Sequence, residues 1–280
     1  MQDTYWNICF TTDANYVVYT THTLGMLLQH AKMPGKIRLF FLLKEDVSIR
    51  QIDTMRNLAD TWHCHSVQVI HPETLSLFSF QTNNGNNMLK TASQANFYRL
   101  FLPLLLEREN RCLYLDGDLA VCADLQDLYE TNLQEYYVAG VTDCLCHNDD
   151  HFSHVTGHDI PFGYYINAGV MLMNLEKMRN DHLLERFLRL NDASYFPFLD
   201  QDIINYGCRG NVKLLDKKFN VYPGDTPEVL SALRQRIPGQ ARLFSDTALT
   251  NPSIIHFVGS QKPWNDPSMP YADVWRGGSL

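Results

Sequence analysis

The chain has 280 residues, 45% of them hydrophobic, which is enough for one large domain or two small ones. It carries 31 acidic against 23 basic residues and a net charge of −8, which argues against a nucleic-acid-binding protein because binding to a phosphate backbone needs a basic face. No apolar run approaches the roughly 18 residues of a membrane span, and the N-terminus lacks the pattern of a secretory signal. Cysteines within apolar runs fit the free thiols of a reducing compartment. We therefore expect a cytoplasmic protein.

The first part of the chain alternates between strand and helix patterns. Short apolar runs over 6–12, 36–43 and 66–70 predict buried strands. A loop over 13–16 leads into a helix that ends near residue 30, and a second helix over 48–62 carries one apolar stripe. This order predicts an α/β fold with a mostly parallel sheet and helices on both faces, and ligands of such sheets bind at the carboxyl ends of the strands.

The rest of the chain is less regular. We expect a polar loop over 81–87, a helix from Ser93 to about residue 106 that Pro103 kinks or ends, and an apolar strand over 112–115. Further patterns predict a short helix over 124–129, strands over 137–141 and 169–173, helices over 175–190 and 200–206, and a late strand over 253–258. No internal repeat or linker is apparent, so a single domain with a less regular C-terminal half is the simplest organisation.

Two carboxylates, Asp116 and Asp118, follow the apolar strand at 112–115 and flank a single glycine. Burying one such charge without a partner costs several kcal/mol. In an extended segment, side chains two residues apart point to the same side, so both acids can face one cation. Hard oxygen ligands suit Mg²⁺ or Mn²⁺, and such an ion can bridge a diphosphate that the acids alone would repel. The pattern therefore predicts a metal–diphosphate site at the end of a central strand.

Two other interpretations of these acids stay open. Aspartates also cap loops at strand ends. A phosphatase of the haloacid dehalogenase type also places two acids after an apolar strand and uses the first, here Asp116, as nucleophile. That motif expects Thr or Val where this chain has Ala120, and it usually comes early in the chain. The phosphatase remains the alternative function.

Five segments together resemble glycosyltransferase family 8, the retaining sugar transferases that include bacterial lipopolysaccharide galactosyl- and glucosyltransferases and glycogenin. The segments are ICFTTDANY (8–16), YLDGD (114–118), YINAGV (165–170), LDQDIIN (199–205) and HFVGSQKPW (256–264). A lone Asp-x-Asp is weak because chance pairs are common, but five segments in order over residues 6 to 265 are a specific signal.

The resemblance implies the nucleotide-sugar fold called GT-A, with one catalytic domain over 1–265 and a C-terminal tail over 266–280. It implies a UDP-galactose or UDP-glucose donor and a bound Mn²⁺, with Mg²⁺ as the alternative ion. The acceptor it implies is a glycan hydroxyl of lipopolysaccharide or another cell-surface polysaccharide, or a protein side chain in a glycogenin-like reaction. It also implies a cytoplasmic protein that can lie on the inner membrane.

The resemblance assigns roles to residues of each segment. Asp116, Asp118 and His256 match the metal ligands of the family. Ten residues, which include the glycine between the two acids, match its donor-binding positions. They are Thr11, Asp13, Asn15, Tyr16, Arg99, Gly117, Asp143, Asn167, Gly259 and Lys262. Asp13 and Asn15 also fit capping of the helix that follows them.

Asp200 and Gln201 are the candidates for the group beside the reacting sugar carbon. That carbon passes through an oxocarbenium-like state, which negative charge or a lone pair stabilises. An amide is a poor nucleophile, so we expect no stable glycosyl–enzyme at Gln201. Front-face attack, in which the leaving phosphate oxygen takes the acceptor's proton, is the mechanism we favour, with Gln201 as a positioning and electrostatic group.

A cluster of cysteines and histidines lies between the strand at 137–141 and the strand at 169–173. Its four histidines are spaced by four, three and four residues, which would align them on one face of a helix and could suit zinc. No paired Cys-x-x-C frames the segment, so a polar acceptor loop is the interpretation we favour. The cluster consists of Cys144, Cys146, His147, His151, His154 and His158.

Overall fold

A computed structural model describes residues 4–74, 93–143, 160–161, 163–193 and 198–278. The predicted polar loop over 81–87 and the cysteine and histidine cluster over 144–158 lie outside these residues.

The first three strands form as the sequence predicts. Strands β1 (Trp6–Thr12), β2 (Ile37–Leu43) and β3 (Ser66–Ile70) pair in parallel, and helices α1 (Val17–His30) and α2 (Ile49–Thr61) connect them. Every residue of β1 is buried, as its unbroken run of apolar and small polar side chains indicates. Ser48 is the N-cap of helix α2, and its hydroxyl and the Gln51 side chain form a reciprocal capping box.

The remaining elements complete the sheet and cover it. The further strands are β4 (Arg111–Leu115), β5 (Leu119–Val121), β6 (Val138–Thr142), β7 (Ile166–Asn174), β8 (Val212–Leu214) and β9 (Ile254–His256). The further α-helices are α3 (Leu102–Leu105), α4 (Gln126–Tyr129), α5 (Leu175–Asn180), α6 (Leu183–Ala193), α7 (Asp200–Gly207), α8 (Pro227–Arg236), α9 (Thr247–Thr250) and α10 (Ala272–Trp275).

Seven of the described strands form one sheet in the order β3-β2-β1-β4-β7-β6-β8, and β5 pairs with β9 in a separate ribbon. Strand β7 runs antiparallel to both of its neighbours, while the other pairings in the large sheet are parallel. Because β7 is reversed, its first residues lie at the edge where β1, β4 and β6 end. This reversal brings the segment around Asn167 next to Asp116, which follows β4.

The sheet separates two cores, because successive side chains of a strand point to opposite faces. Ile8 and Phe10 of β1 pack with α1 and α2, whereas Cys9 packs on the opposite face with the segment around Tyr98. The predicted α/β architecture with helices on both faces is confirmed.

Two predicted helices differ from those observed. The segment from Ser93 is a 3₁₀-helix (Gln94–Phe101), and Pro103 lies in the first turn of α3, where its missing N–H costs nothing. The helix predicted over 175–190 is two helices, because the chain turns at His182, whose φ is +53°. Strands β5 and β8 and helices α8, α9 and α10 have no counterpart in the sequence prediction.

The segment after residue 265 packs on the ribbon of β5 and β9. Ala272, Val274 and Trp275 of α10 are buried, and the last two join a cluster with Ile255 and Phe257. The division between a domain over 1–265 and a tail over 266–280 stays a prediction. Among the residues that the structure describes, no helix has both the length and the hydropathy needed to cross a bilayer.

Candidate active site

A cavity of about 760 Å³ opens at the carboxyl edge of the sheet. It collects side chains from the ends of β1, β4 and β6, from the start of β7 and from the start of α7. Every residue assigned by the resemblance except His256 lines it: Thr11, Asp13, Asn15, Tyr16, Arg99, Asp116, Gly117, Asp118, Asp143, Asn167, Asp200, Gln201, Gly259 and Lys262.

The two acids come together through a bend rather than through strand alternation. Asp116, Gly117 and Asp118 connect β4 to β5, and the Asp116 N–H donates to the Gly169 carbonyl at 2.8 Å. A Cβ on Gly117 would lie 2.2 Å from Thr20 Oγ1, so only glycine permits the bend to approach α1 this closely. The extended geometry that we expected for these residues is therefore wrong, although both carboxylates face the cavity.

His256, at the end of β9, approaches both acids. Its Nε2 lies 3.3 Å from Asp118 Oδ1 and 3.8 Å from Asp116 Oδ2, and one ligand atom from each of the three side chains falls within 4.8 Å of the others. A Cβ on Gly169 would lie 2.2 Å from His256 Cε1 and 2.6 Å from Asp116 Oδ2, so the missing side chain makes room for the cluster. Two carboxylates and an imidazole are a donor set that fits Mn²⁺ or Mg²⁺.

Asp118 also holds two further side chains of the cavity. Its Oδ2 accepts from the Tyr16 hydroxyl at 3.1 Å and contacts the Lys262 ammonium, which also donates to the Phe257 carbonyl. Burial opposes ionisation of Asp118, but His256 and Lys262 outweigh it and hold the pKa of this carboxyl well below its usual range. Burial and the neighbouring Asp118 charge raise the pKa of Tyr16 far above its usual range. Asp118 is therefore a carboxylate and Tyr16 a neutral donor at physiological pH.

Arg99 connects the acids on the other side of the cavity. The side chain is almost completely buried, and its Nη2 lies 2.9 Å from Asp116 Oδ1 while its Nε lies 3.0 Å from Asp200 Oδ2. Its Nη1 donates to the Ala168 carbonyl at 2.7 Å, and the guanidinium stacks 4.3 Å from the centre of the Tyr114 ring. Arg99 thereby fixes the distance between the first acid of the Asp-x-Asp pair and the acid that begins α7.

Asp200 lies in an unusual electrostatic setting. Burial raises its pKa to about 6; Arg99 opposes this rise, while the charge on Asp116 adds to it. A helix cap does not explain the residue, because the N-cap of α7 is Leu199 and the Asp200 carboxylate pairs with Arg99.

The Gln201 amide is held in one orientation. Its Oε1 accepts from the Ala168 N–H at 3.0 Å and from Asn167 Nδ2 at 3.1 Å, and its Nε2 donates to Asp143 Oδ2 at 2.9 Å. Because the Ala168 N–H can only donate, the oxygen of Gln201 faces the start of β7 and its NH₂ group faces Asp143. Such fixed dipoles suit a positioning group better than a mobile nucleophile.

The residues at the end of β1 line the far side of the cavity. Asp13 Oδ1 accepts the backbone N–H groups of Asn15 and Tyr16, both at 3.0 Å, so it shapes the turn before α1. The hydroxyls of Thr11 and Tyr114 lie 2.8 Å apart. Asp13 therefore does not cap α1, whose N-cap is Tyr16 without a side-chain cap hydrogen bond. It orders the preceding turn and lines the cavity.

Among the residues around the two acids and His256, three were not assigned from the sequence. They are Gly169, Tyr114, whose hydroxyl donates to Asp116 Oδ1 at 2.8 Å, and Asn220, whose Oδ1 lies 3.1 Å from His256 Nδ1. A glycine inside a strand signals close approach by another group and could have pointed to Gly169. Asn220 follows two lysines and a phenylalanine and carries no local signal of this kind.

Comparison with known proteins identifies the family. The model of the family described as "Glycosyl transferase family 8" matches residues 7–268, nearly the whole chain. The chain belongs to glycosyltransferase family 8. This membership confirms the resemblance read from the five segments and replaces the phosphatase alternative. The chain is thus a member of a glycosyltransferase family, and the cluster of Asp116, Asp118 and His256 fits the metal-binding Asp-x-Asp motif.

Individual relatives share about a quarter of the aligned residues with this chain. A putative glycosyltransferase of Haemophilus influenzae is 25% identical over 78% of the chain and 64% of its own length. A lipopolysaccharide 1,2-glucosyltransferase of Escherichia coli K12 is 27% identical over 65% of the chain and 54% of its own length. The chain thus spans less than two thirds of the length of these relatives.

The fold matches a solved structure of the galactosyltransferase LgtC in complex with donor and acceptor sugar analogues. The TM-score is 0.72 at 22% identity, over 97% of this glycosyltransferase and 94% of LgtC. At this identity the likeness concerns the fold, and it confirms the predicted GT-A architecture.

Proposed function

We propose that this glycosyltransferase moves a hexose from a UDP-sugar to a glycan hydroxyl with retention of anomeric configuration. The observation that carries the proposal is the convergence of His256 on Asp116 and Asp118, two acids that line one cavity together with Asp200 and Gln201. The names of similar proteins support the substrate class: the E. coli relative is a lipopolysaccharide glucosyltransferase and LgtC is a galactosyltransferase. Galactose and glucose are the two donor sugars proposed, and lipopolysaccharide or another cell-surface polysaccharide is the proposed acceptor.

Asp116, Asp118 and His256 would hold a divalent ion, with Mn²⁺ proposed and Mg²⁺ as the alternative. Such an ion supplies Lewis-acid stabilisation of the charge that grows on a leaving diphosphate. With only two carboxylates and one imidazole as protein ligands, such an ion would also be able to bind the diphosphate of the donor. Lys262, beside Asp118, would add a point charge to the same diphosphate.

Thr11, Asp13, Asn15 and Tyr16 are proposed to bind the uracil and ribose. They lie together on the cavity wall formed by the end of β1 and the start of α1. Gly259, with φ of +80°, shapes the loop after β9 that carries Lys262. A base and a ribose on this wall would direct the diphosphate toward the acid pair and the sugar toward α7.

Arg99, Asp143, Asn167, Asp200 and Gln201 are proposed to line the donor sugar. The Asp200 carboxylate and the Gln201 carbonyl dipole place negative charge near the oxocarbenium-like carbon. Arg99 keeps Asp200 in place, and Asp143 and Asn167 keep Gln201 in place. This arrangement favours front-face attack, in which the leaving phosphate oxygen accepts the proton of the acceptor hydroxyl.

A panel of UDP-sugars with Mn²⁺ tests the proposal through UDP release by slow hydrolysis without an acceptor. We expect release from UDP-galactose or UDP-glucose, loss of release in EDTA, and loss in Asp116→Asn and Asp118→Asn. Near-normal transfer by both variants in EDTA would refute the metal assignment. A covalent sugar trapped on Asp200 or Gln201 would refute front-face attack. A protein that binds none of the UDP-sugars would refute the donor class.

A further inference from the structure

His256 rests against a buried asparagine on the side away from the acids. Asn220 is fully buried in the turn after β8, and its Oδ1 lies 3.1 Å from His256 Nδ1. The same turn also fixes the backbone of His256, whose N–H donates to the Val221 carbonyl at 2.8 Å. The two ring nitrogens of His256 therefore face different partners, with Nδ1 toward Asn220 and Nε2 toward Asp116 and Asp118.

Backbone donors decide which way each amide of this region points. The Gly169 N–H donates to Asn167 Oδ1 at 2.9 Å, so this atom is an oxygen. Asn220 contacts the same oxygen at 3.0 Å and must present its NH₂ group there. The Nδ2 atom of Asn167 supports the same orientation of this amide. It donates to Gln201 Oε1, which must be an oxygen because it also accepts from the Ala168 N–H.

It follows that Asn220 turns its oxygen toward His256. An oxygen at 3.1 Å can only accept, so Nδ1 of His256 must carry a proton. In the neutral ring this leaves the lone pair on Nε2, the nitrogen that faces Asp116 and Asp118. An imidazole ligates a metal through an unprotonated nitrogen, and the hydrogen bond made by the other nitrogen selects which one that is.

Asn220 is itself held rigidly. The Lys217 ammonium is completely buried. It donates to the backbone carbonyl of Asn220 at 2.8 Å and pairs with Asp225 Oδ2 at 2.7 Å. The Asp225 carboxylate in turn accepts the Tyr222 N–H at 2.6 Å. A buried ion pair thus fixes the turn that presents the amide.

We propose that Asn220 is a positioning residue that holds His256 in its metal-ligating tautomer and ring orientation. The inference rests on the proposed metal site and adds to it a chain of three amides, Gln201, Asn167 and Asn220, that links the sugar side of the cavity to the third ligand. An outer partner of this kind changes metal affinity by about 10–100-fold.

The test is Mn²⁺ titration of the metal-free protein, with free Mn²⁺ followed by its EPR signal and no donor present. We expect Asn220→Ala to raise the Kd about 10–100-fold. Asn220→Asp keeps an acceptor for the Nδ1 proton, although it replaces the donor to Asn167 by a charged oxygen. Its Kd should therefore lie nearer to that of the wild type than the Kd of Asn220→Ala. A role in packing alone would make the two variants equally weak.

Asn7→Ala is the matched control. Asn7 is also a buried amide, at the opposite end of β1 from the cavity, where it donates to Glu109 and the Arg111 carbonyl. Its removal should leave the Kd unchanged. Asn220→Ala with wild-type affinity, or Asn220→Asp as weak as Asn220→Ala, would overturn the inference.

A second measurement needs no metal and no variant of Asn220. The ¹⁵N spectrum of the wild-type histidines in alkaline solution, with His256 assigned from the signal lost in His256→Gln, should show the proton on Nδ1. A proton on Nε2 would overturn the inference even if Asn220→Ala failed to fold. Wild-type protein that binds no Mn²⁺ would refute the proposed metal site instead, while this spectrum would still decide the role of Asn220.

Discussion

Substitution of Gly169 by alanine tests whether space at the start of β7 allows the three ligands to converge. The added Cβ would lie 2.2 Å from His256 Cε1, 2.6 Å from Asp116 Oδ2 and 3.0 Å from His256 Nδ1, whereas ordinary contacts begin near 3.4 Å. The ring or the strand must therefore move by about 1 Å, and ligand distances tolerate only about 0.2 Å. We expect the fold to survive and the cluster to open.

A misplacement of about 1 Å at reacting groups lowers the rate about 100-fold, which corresponds to about 3 kcal/mol of activation free energy. We therefore expect Gly169→Ala to raise the Kd for Mn²⁺ by about 10–100-fold and to lower UDP release similarly at fixed Mn²⁺. Gly239→Ala is the control, because nothing lies within 4 Å of the Cβ it would add. A folded Gly169→Ala protein with wild-type Mn²⁺ affinity would refute the steric reasoning.

Three further predictions concern stability. Gly25→Ala should stabilise the protein by about 0.5–1 kcal/mol in thermal unfolding, because Gly25 is inside α1 and the new Cβ would lie 3.8 Å from Leu58. Lys217→Met should cost about 3–5 kcal/mol in urea unfolding, because it leaves the carboxylate of Asp225 buried without its partner. Asp200→Asn should remove part of the pH dependence of stability in metal-free protein. The pKa of Asp200 is about 6 in the folded chain, against an ordinary value of 3.8 in the unfolded chain. The contribution of Asp200 to the free energy of unfolding is therefore greatest below pH 3.8 and is lost as the pH rises through about 6.

Each of these predictions has an outcome that would contradict it, and the first two have a control variant. Gly210→Ala should destabilise, since Gly210 has φ of +80°, and a Gly25→Ala protein no more stable than the wild type would contradict the helix argument. Lys177→Met breaks an exposed pair with Asp181 and should cost much less stability than Lys217→Met, so equal losses in both lysine variants would contradict the burial argument. An unchanged pH slope in Asp200→Asn would show that the carboxyl is ionised throughout the window.

The sequence predicted the first half of the fold closely because unbroken apolar runs mark its strands and one apolar stripe marks its second helix. The later elements were harder. Strands β5 and β8 have three residues each, too few for a periodic pattern, and β7 gives no sign in its own residues that it runs antiparallel. Helix α8 was predictable in principle, because Thr226 caps it and Pro227 begins it.

The sequence by itself determined the family and the candidate side chains, because motif residues and their order are properties of the chain alone. Only the tertiary structure decided how these side chains meet. The reversal of β7 sets Asn167 and Gly169 against the bend at Asp116, and the turn at Asn220 reaches His256 from a different part of the chain. Local patterns report which face of an element is buried, but contacts between distant segments depend on strand order and direction, which one-dimensional periodicity does not encode.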